Sequence, residues 1–296
     1  MNYTVTHSTA YRYSSPVNVC HNVLMLEPRQ SRSMTCQRFE LRIHPRPIVS
    51  VRREDMFGNY VRRFSLEENH SSLKITATSN VVVRAQQLTT TSDSPTCRQI
   101  SFDSKSPSDP NWLDVAPFFF DSPRIKRSPE FASYAADSSQ ATRPVIETAM
   151  EVTHRIYSDF EYDKDATLVD TPTETAFDGR RGVCQDFAHI AVACLRSVDI
   201  PARYVSGYLR TTPASGTKRL VGNDESHAWF SVYCGNALGW VDFDPTNDCE
   251  CGTDHIPVAY GRDYSDVVPV KGIFLGGGET SMSISVDVSE RQPDVS

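Results

Sequence analysis

The sequence predicts an α+β protein, with an N-terminal antiparallel β-sandwich-like domain followed by helices packed on an antiparallel sheet. Two observations carry this reading. Over residues 1–85 apolar and polar side chains alternate with almost no helical periodicity, whereas from Pro144 onward two amphipathic helical stripes precede several short β-prone runs. A chain of 296 residues is also long for one core, which favours two domains.

The elements follow in order. In QRFELRIHP, Phe39, Leu41 and Ile43 alternate with polar residues, the period of a half-buried strand. MFGNYVRRFSL reads as a hairpin, with Gly58 and Asn59 as residues that tolerate positive φ. LKITATSNVVVRA continues with Leu73, Ile75 and Ala77 on one face before the run Val81, Val82, Val83. Residues 86–127 are rich in Ser, Thr, Asp and Pro, keep neither period for long, and read as a linker or irregular crossing segment.

The core is expected over 128–262. Val145, Ala149, Val152 and Ile156 mark one helix, with Pro144 suited to its first turn. A second carries Phe187, Ile190, Ala191, Cys194, Leu195 and Val198 as a stripe and ends at VDIP. ARYVSGYLR, HAWFSVYC and GWVDFDP read as strands. Residues 263–296 form a C-terminal extension in which Met282, Ile284, Val286 and Val288 make a closing strand after Gly276, Gly277 and Gly278. No internal repeat is found.

Composition narrows the function classes. The hydrophobic content of 39% is ordinary for a globular protein, and no apolar run approaches the roughly 18 residues that cross a bilayer, so no membrane partner is expected. A net charge of -7 disfavours a nucleic-acid backbone as partner. The N-terminal stretch lacks a basic leader and an apolar segment, which gives a cytoplasmic expectation, with the eight cysteines kept as thiols.

One cysteine stands apart by position. In GVCQDFAHIAVACL, Cys184 follows Gly182, expected to permit a sharp turn, and falls in the first turn of a helix, where free amides and the helix dipole favour a thiolate. Cys194, mid-stripe, reads as a buried hydrophobe. His189 lies five residues along the same helix, about 140° around it, so it reads as structural. His227 is better placed, on a strand with Trp229, Ser231 and Tyr233, while the next strand puts Trp240, Asp242 and Asp244 on one face. A histidine and an aspartate on neighbouring strands can pair, completing a Cys-His-Asp arrangement.

GVCQDFAHIAVACLRSVDIPARYVSGYL, SHAWFSVY and GWVDFDPTN resemble the transglutaminase-like superfamily of papain-type cysteine enzymes, in the order Cys, His, Asp. HSTAYRYSSPV, LEPR, DMFGNYV and HIPVAYGRDYSDVVPVKGIFLGGG resemble a bacterial group with an N-terminal β domain. The resemblance implies a transglutaminase-like, papain-like core with Cys184 as nucleophile, His227 as general base and acid, and Asp244 as orienting carboxylate. Asp242 is the alternative carboxylate. Gln185, Asp186, Glu225, Trp229 and Trp240 are expected neighbours of the substrate.

The chemistry implied is attack on a carboxamide carbonyl, a thioester, then hydrolysis or transfer to an amine. Gln185 follows the cysteine where animal crosslinking transglutaminases have a tryptophan, and no calcium loop is evident, which favours peptidase or amidase chemistry over protein-glutamine acyl transfer. A non-catalytic interaction scaffold is the third reading. The expected partner is a peptide or protein carrying an amide or isopeptide bond, with no cofactor. Cys249, Cys251 and His255 are a partial zinc pattern without a fourth ligand, so no metal is expected. Arg203 and Tyr204 read as packing residues.

Overall fold

The computed structural model describes residues 1–85, 94–103, 111–211 and 225–291. Its β domain is built from both ends of the chain. Strand β1 (Asn2–Glu27) is flanked on one edge by β4 (Tyr60–Leu66) and β5 (His70–Val83), which together run antiparallel to it. On its other edge β13 (Val270–Gly276) and β14 (Thr280–Glu290) do the same. β2 (Met34–His44) pairs with β5 and β3 (Val49–Glu54) with β4, completing a seven-stranded antiparallel sheet.

The register shows a common corner. Ladders break at Ser14–Pro16 in β1, between β4 and β5, between β2 and β3, and at Gly276–Gly278 between β13 and β14. The last three glycines all have positive φ, and a Cβ on Gly276 would stand 2.7 Å from Pro16 O. The sandwich-like character therefore arises within one sheet bent into a half-barrel, whose concavity holds Val17, Leu24, Phe64, Leu73 and Ile75. From the expected C-terminal extension, β13 and β14 supply an outer pass of that sheet.

The hairpin reading of MFGNYV holds, with one change. Gly58 alone takes positive φ, whereas Asn59 is fully buried and docks the hairpin on the core. Its Nδ2 donates to Tyr260 O at 2.7 Å and its Oδ1 accepts the Tyr260 amide at 2.9 Å, so one side chain completes a backbone-like pair across the domains.

The core has a five-stranded antiparallel sheet, β8 (Ala202–Leu209), β9 (Glu225–Tyr233), β10 (Trp240–Asp244), β11 (Cys249–Glu250) and β12 (His255–Gly261), in the order β11-β10-β9-β8-β12. Helix α6 (Cys184–Ser197) packs against β8 and β9, and against α3 (Pro129–Ala136), α4 (Val145–Asp159) and α5 (Thr173–Gly179). Enclosed on all sides, it is buried around its whole circumference from Gln185 to Arg196, not along one stripe. Ala188, Ala191 and Ala193 let neighbours approach, and burial of each large apolar side chain here contributes roughly 1.5–3 kcal/mol.

The segment expected as a linker contains α1 (Cys97–Asp103) and α2 (Trp112–Val115). Cys97, Ile100, Val115, Phe119 and Ile125 enter the same core as α6. Their irregular spacing follows a chain that changes direction repeatedly, which is why no single period marks it. The remainder of 86–127, at 86–93 and 104–110, lies outside the described residues.

Candidate active site

The start of α6 is set by its own sequence. Asp186 Oδ2 accepts the Val183 amide at 2.9 Å and the Thr167 hydroxyl at 2.6 Å, folding back over the first turn as a carboxylate cap. A Cβ on Gly182 would stand 2.6 Å from that oxygen. Gly182 is therefore required for space, not for the sharp turn the sequence suggested, since its φ is not positive. Asp186 is buried, and burial outweighs its hydrogen bonds in raising its carboxyl above the usual range. Its position makes it a helix cap, and it does not line the cleft at Cys184.

Cys184 is half-buried at the first helical position, where its amide has no acceptor within the helix. His227 lines the same cleft wall as Cys184 and places Nε2 2.7 Å from Asp244 Oδ2. Cys184, His227 and Asp244 are thus brought together from α6, β9 and β10. Burial works against the imidazolium, but hydrogen bonds and charge from Asp244 and Cys184 outweigh it and push His227 up to about 10. Burial alone would raise Asp244. The hydrogen bonds from His227 and His255, with the imidazolium charge, instead hold it well below the usual carboxylate range.

Asp242 does not take the orienting position. It faces Ser231 across the ladder, accepts that hydroxyl, and takes the Trp229 indole N–H at 3.1 Å. Two residues along a strand is about 7 Å, and only Asp244, at the strand end, reaches His227. Trp240 lies further back, packed on Phe118, Tyr233 and Arg203. Neither Trp229 nor Trp240 lines the cleft at Cys184. Trp229 instead lies over Gly207, whose Cβ would meet Cη2 at 2.4 Å. The Glu225 side chain lies outside the described residues.

That cleft encloses about 220 Å³ between the two domains. The core contributes Cys184, Gln185, His227 and Tyr204, and the β domain contributes Tyr11 and, from β14, Met282 and Ile284. Gln185 Nε2 also donates to Val169 O at 3.0 Å, tying the 163–172 loop to the rim. Tyr204, expected to pack, is buried in the apolar cluster that also borders the cleft. His189 is structural as expected: Nε2 accepts the Tyr264 amide at 3.1 Å, and burial pushes it down to about 3.

The partial zinc pattern does not assemble. Cys251 packs with Val205, Trp229 and Tyr260, while His255 turns to Asp244 at 3.0 Å. The ligand atoms of His227, Asp244 and His255 lie within 4.8 Å of one another and could offer a cation three ligands, yet their separations of 2.7 and 3.0 Å are those of proton-filled hydrogen bonds.

Residues 132–245, which contain Cys184, His227 and Asp244, match the transglutaminase-like superfamily, and residues 3–82 match the bacterial transglutaminase-like N-terminal region. "Uncharacterized protein Rv2569c" of Mycobacterium tuberculosis is 36% identical over 290 residues, covering 97% of this chain and 92% of its own. The chain belongs to the transglutaminase-like superfamily. Another member, "Uncharacterized protein ML0607" of Mycobacterium leprae, is 32% identical over 289 residues, covering 96% of this chain and 97% of its own. The crystal structure of a "Putative Cysteine Protease" from Cytophaga hutchinsonii shares the fold, with a TM-score of 0.73 and 23% identity over 100% of this chain and 92% of that one. Among the described residues of this transglutaminase-like protein, no helix is long and apolar enough to cross a membrane.

Proposed function

We propose that the protein is a cysteine hydrolase that cleaves a peptide, amide or isopeptide bond through a thioester on Cys184. The observation that carries this is the juxtaposition of Cys184 and His227 at the wall of one cleft, with His227 hydrogen-bonded to the buried Asp244. The Cys184 sulfur attacks the carbonyl carbon, and the Cys184 amide, with no helical partner, is positioned to stabilise the developing oxyanion. Protonated His227 gives its proton to the nitrogen as the carbon–nitrogen bond breaks, releasing an amine. His227 then takes a proton from water, which attacks the thioester and frees the acid and the sulfur.

A small cleft walled by Tyr11, Met282 and Ile284 favours a single apolar or aromatic side chain, or the methylene arm of a glutamine, beside the reacting carbonyl. Hydrolysis and acyl transfer share the thioester. Product analysis of an amide substrate with and without a primary amine separates them: free acid in both is expected, and amine incorporation as the main product overturns the hydrolase assignment.

A further inference from the structure

We infer that His255 is a positioning residue of this site, its Nε2–H holding the Asp244 carboxylate against His227 while the Gly252 amide fixes its tautomer. The inference rests on the proposed role of Cys184, because it concerns how that nucleophile's base is aimed. β11 and β12 lie on opposite edges of the sheet, so the chain must cross between them. The crossing ends in a turn in which His255 N–H donates to Gly252 O at 3.2 Å and Gly252 N–H donates to His255 Nδ1 at 3.2 Å. A ring nitrogen that accepts an amide proton carries its lone pair there, so the ring's own proton sits on Nε2.

That proton points at Asp244 Oδ2, 3.0 Å away, the same oxygen that faces His227. Asn247 donates to Oδ2 at 2.6 Å and the Thr246 amide to Oδ1 at 2.9 Å. An edge-on contact with Trp229, 5.3 Å between centroids, holds the plane of the His255 ring. Asp244 is 0% exposed and His255 8%, so bulk water does not readily replace a lost donor. Without His255, Oδ2 keeps Asn247 as its one donor besides His227, and the aim of the carboxylate at the His227 ring loosens. The matched superfamily segment ends at residue 245, short of His255.

The test is the rate of iodoacetamide labelling of Cys184 at pH 7, by peptide mass spectrometry, in the full-length wild type, His255→Phe and His255→Gln. His255→Phe is expected to slow labelling about tenfold or more. His255→Gln, whose side-chain N–H reaches for the same oxygen, is expected to recover most of the rate. Phe labelling as fast as wild type, or Gln as slow as Phe, overturns the inference. Nitrogen-15 NMR of the wild type needs no variant: the Nε2–H tautomer is expected for His255, and an Nδ1–H tautomer overturns it. Should wild-type Cys184 label no faster than a free peptide thiol, the nucleophile reading falls, and the tautomer alone decides the placement of His255.

Discussion

At the scale of single residues, the site depends on what each side chain touches. Cys184→Ser is expected to abolish turnover while leaving the thermal midpoint within a degree or two, because the half-buried sulfur makes little of the core. Asp244→Asn keeps the shape but not the charge that holds His227 protonated, and kcat is expected to fall by about 10²–10⁴. Cys184 and His227 were legible in the sequence because a helix start and a strand start have local signatures. The choice of Asp244 over Asp242 came from the family resemblance and not from alternation, which puts both on one face; the strand's end decides which one reaches the histidine. His255 was set aside for a related reason: C-x-C-x3-H spacing says nothing of a chain that crosses the end of a sheet.

At the scale of elements, the first turn of α6 is a small machine of Gly182, Asp186 and Thr167. Asp186→Ala removes the cap and is expected to cost about 1–2 kcal/mol in urea denaturation, with a larger loss of activity because Cys184 rides on that turn. Gly182→Ala should reproduce the activity loss by steric displacement of the same carboxylate. The other end of the helix is held by Arg196, fully buried, whose guanidinium donates to Ala202 O, Phe120 O and Arg262 O at 2.9, 3.1 and 2.7 Å. Arg196→Met leaves those acceptors without a donor and is expected to cost about 3 kcal/mol or more in the same assay. Helix existence was plain from the stripe of Phe187, Ile190 and Leu195. An arginine within it gave no warning, because periodicity reads apolar positions and is silent about a charge satisfied by distant carbonyls.

At the scale of the whole molecule, the β domain is a wall of the cleft, built from both chain ends and latched by Asn59. Asn59→Ala opens that latch and is expected to cost about 1–3 kcal/mol and to weaken turnover, measured together by denaturation and kinetics. The antiparallel character of the domain was legible, but its corner, shared by four passes of the chain, is a property of register and not of any one strand. Stability should peak near neutral pH. His7 and His189 are pushed by burial to about 4 and about 3, so the unfolded chain binds more protons and stability falls as pH drops below about 6.5. His227, raised to about 10 against burial by Asp244 and Cys184, contributes stability that is fully present below about 6.5 and is lost as pH rises towards 10. The thermal midpoint is thus expected to be bell-shaped in pH, and His227→Ala should flatten only the alkaline limb.

The most direct test of the central claim, that Cys184 is a nucleophile activated by His227, is site-resolved alkylation of the folded protein at pH 6. Cys184 is expected to label far faster than a free peptide thiol in the wild type and at least about tenfold more slowly in His227→Ala. A Cys184 that reacts no faster than the peptide thiol, or equally fast without His227, would contradict the account.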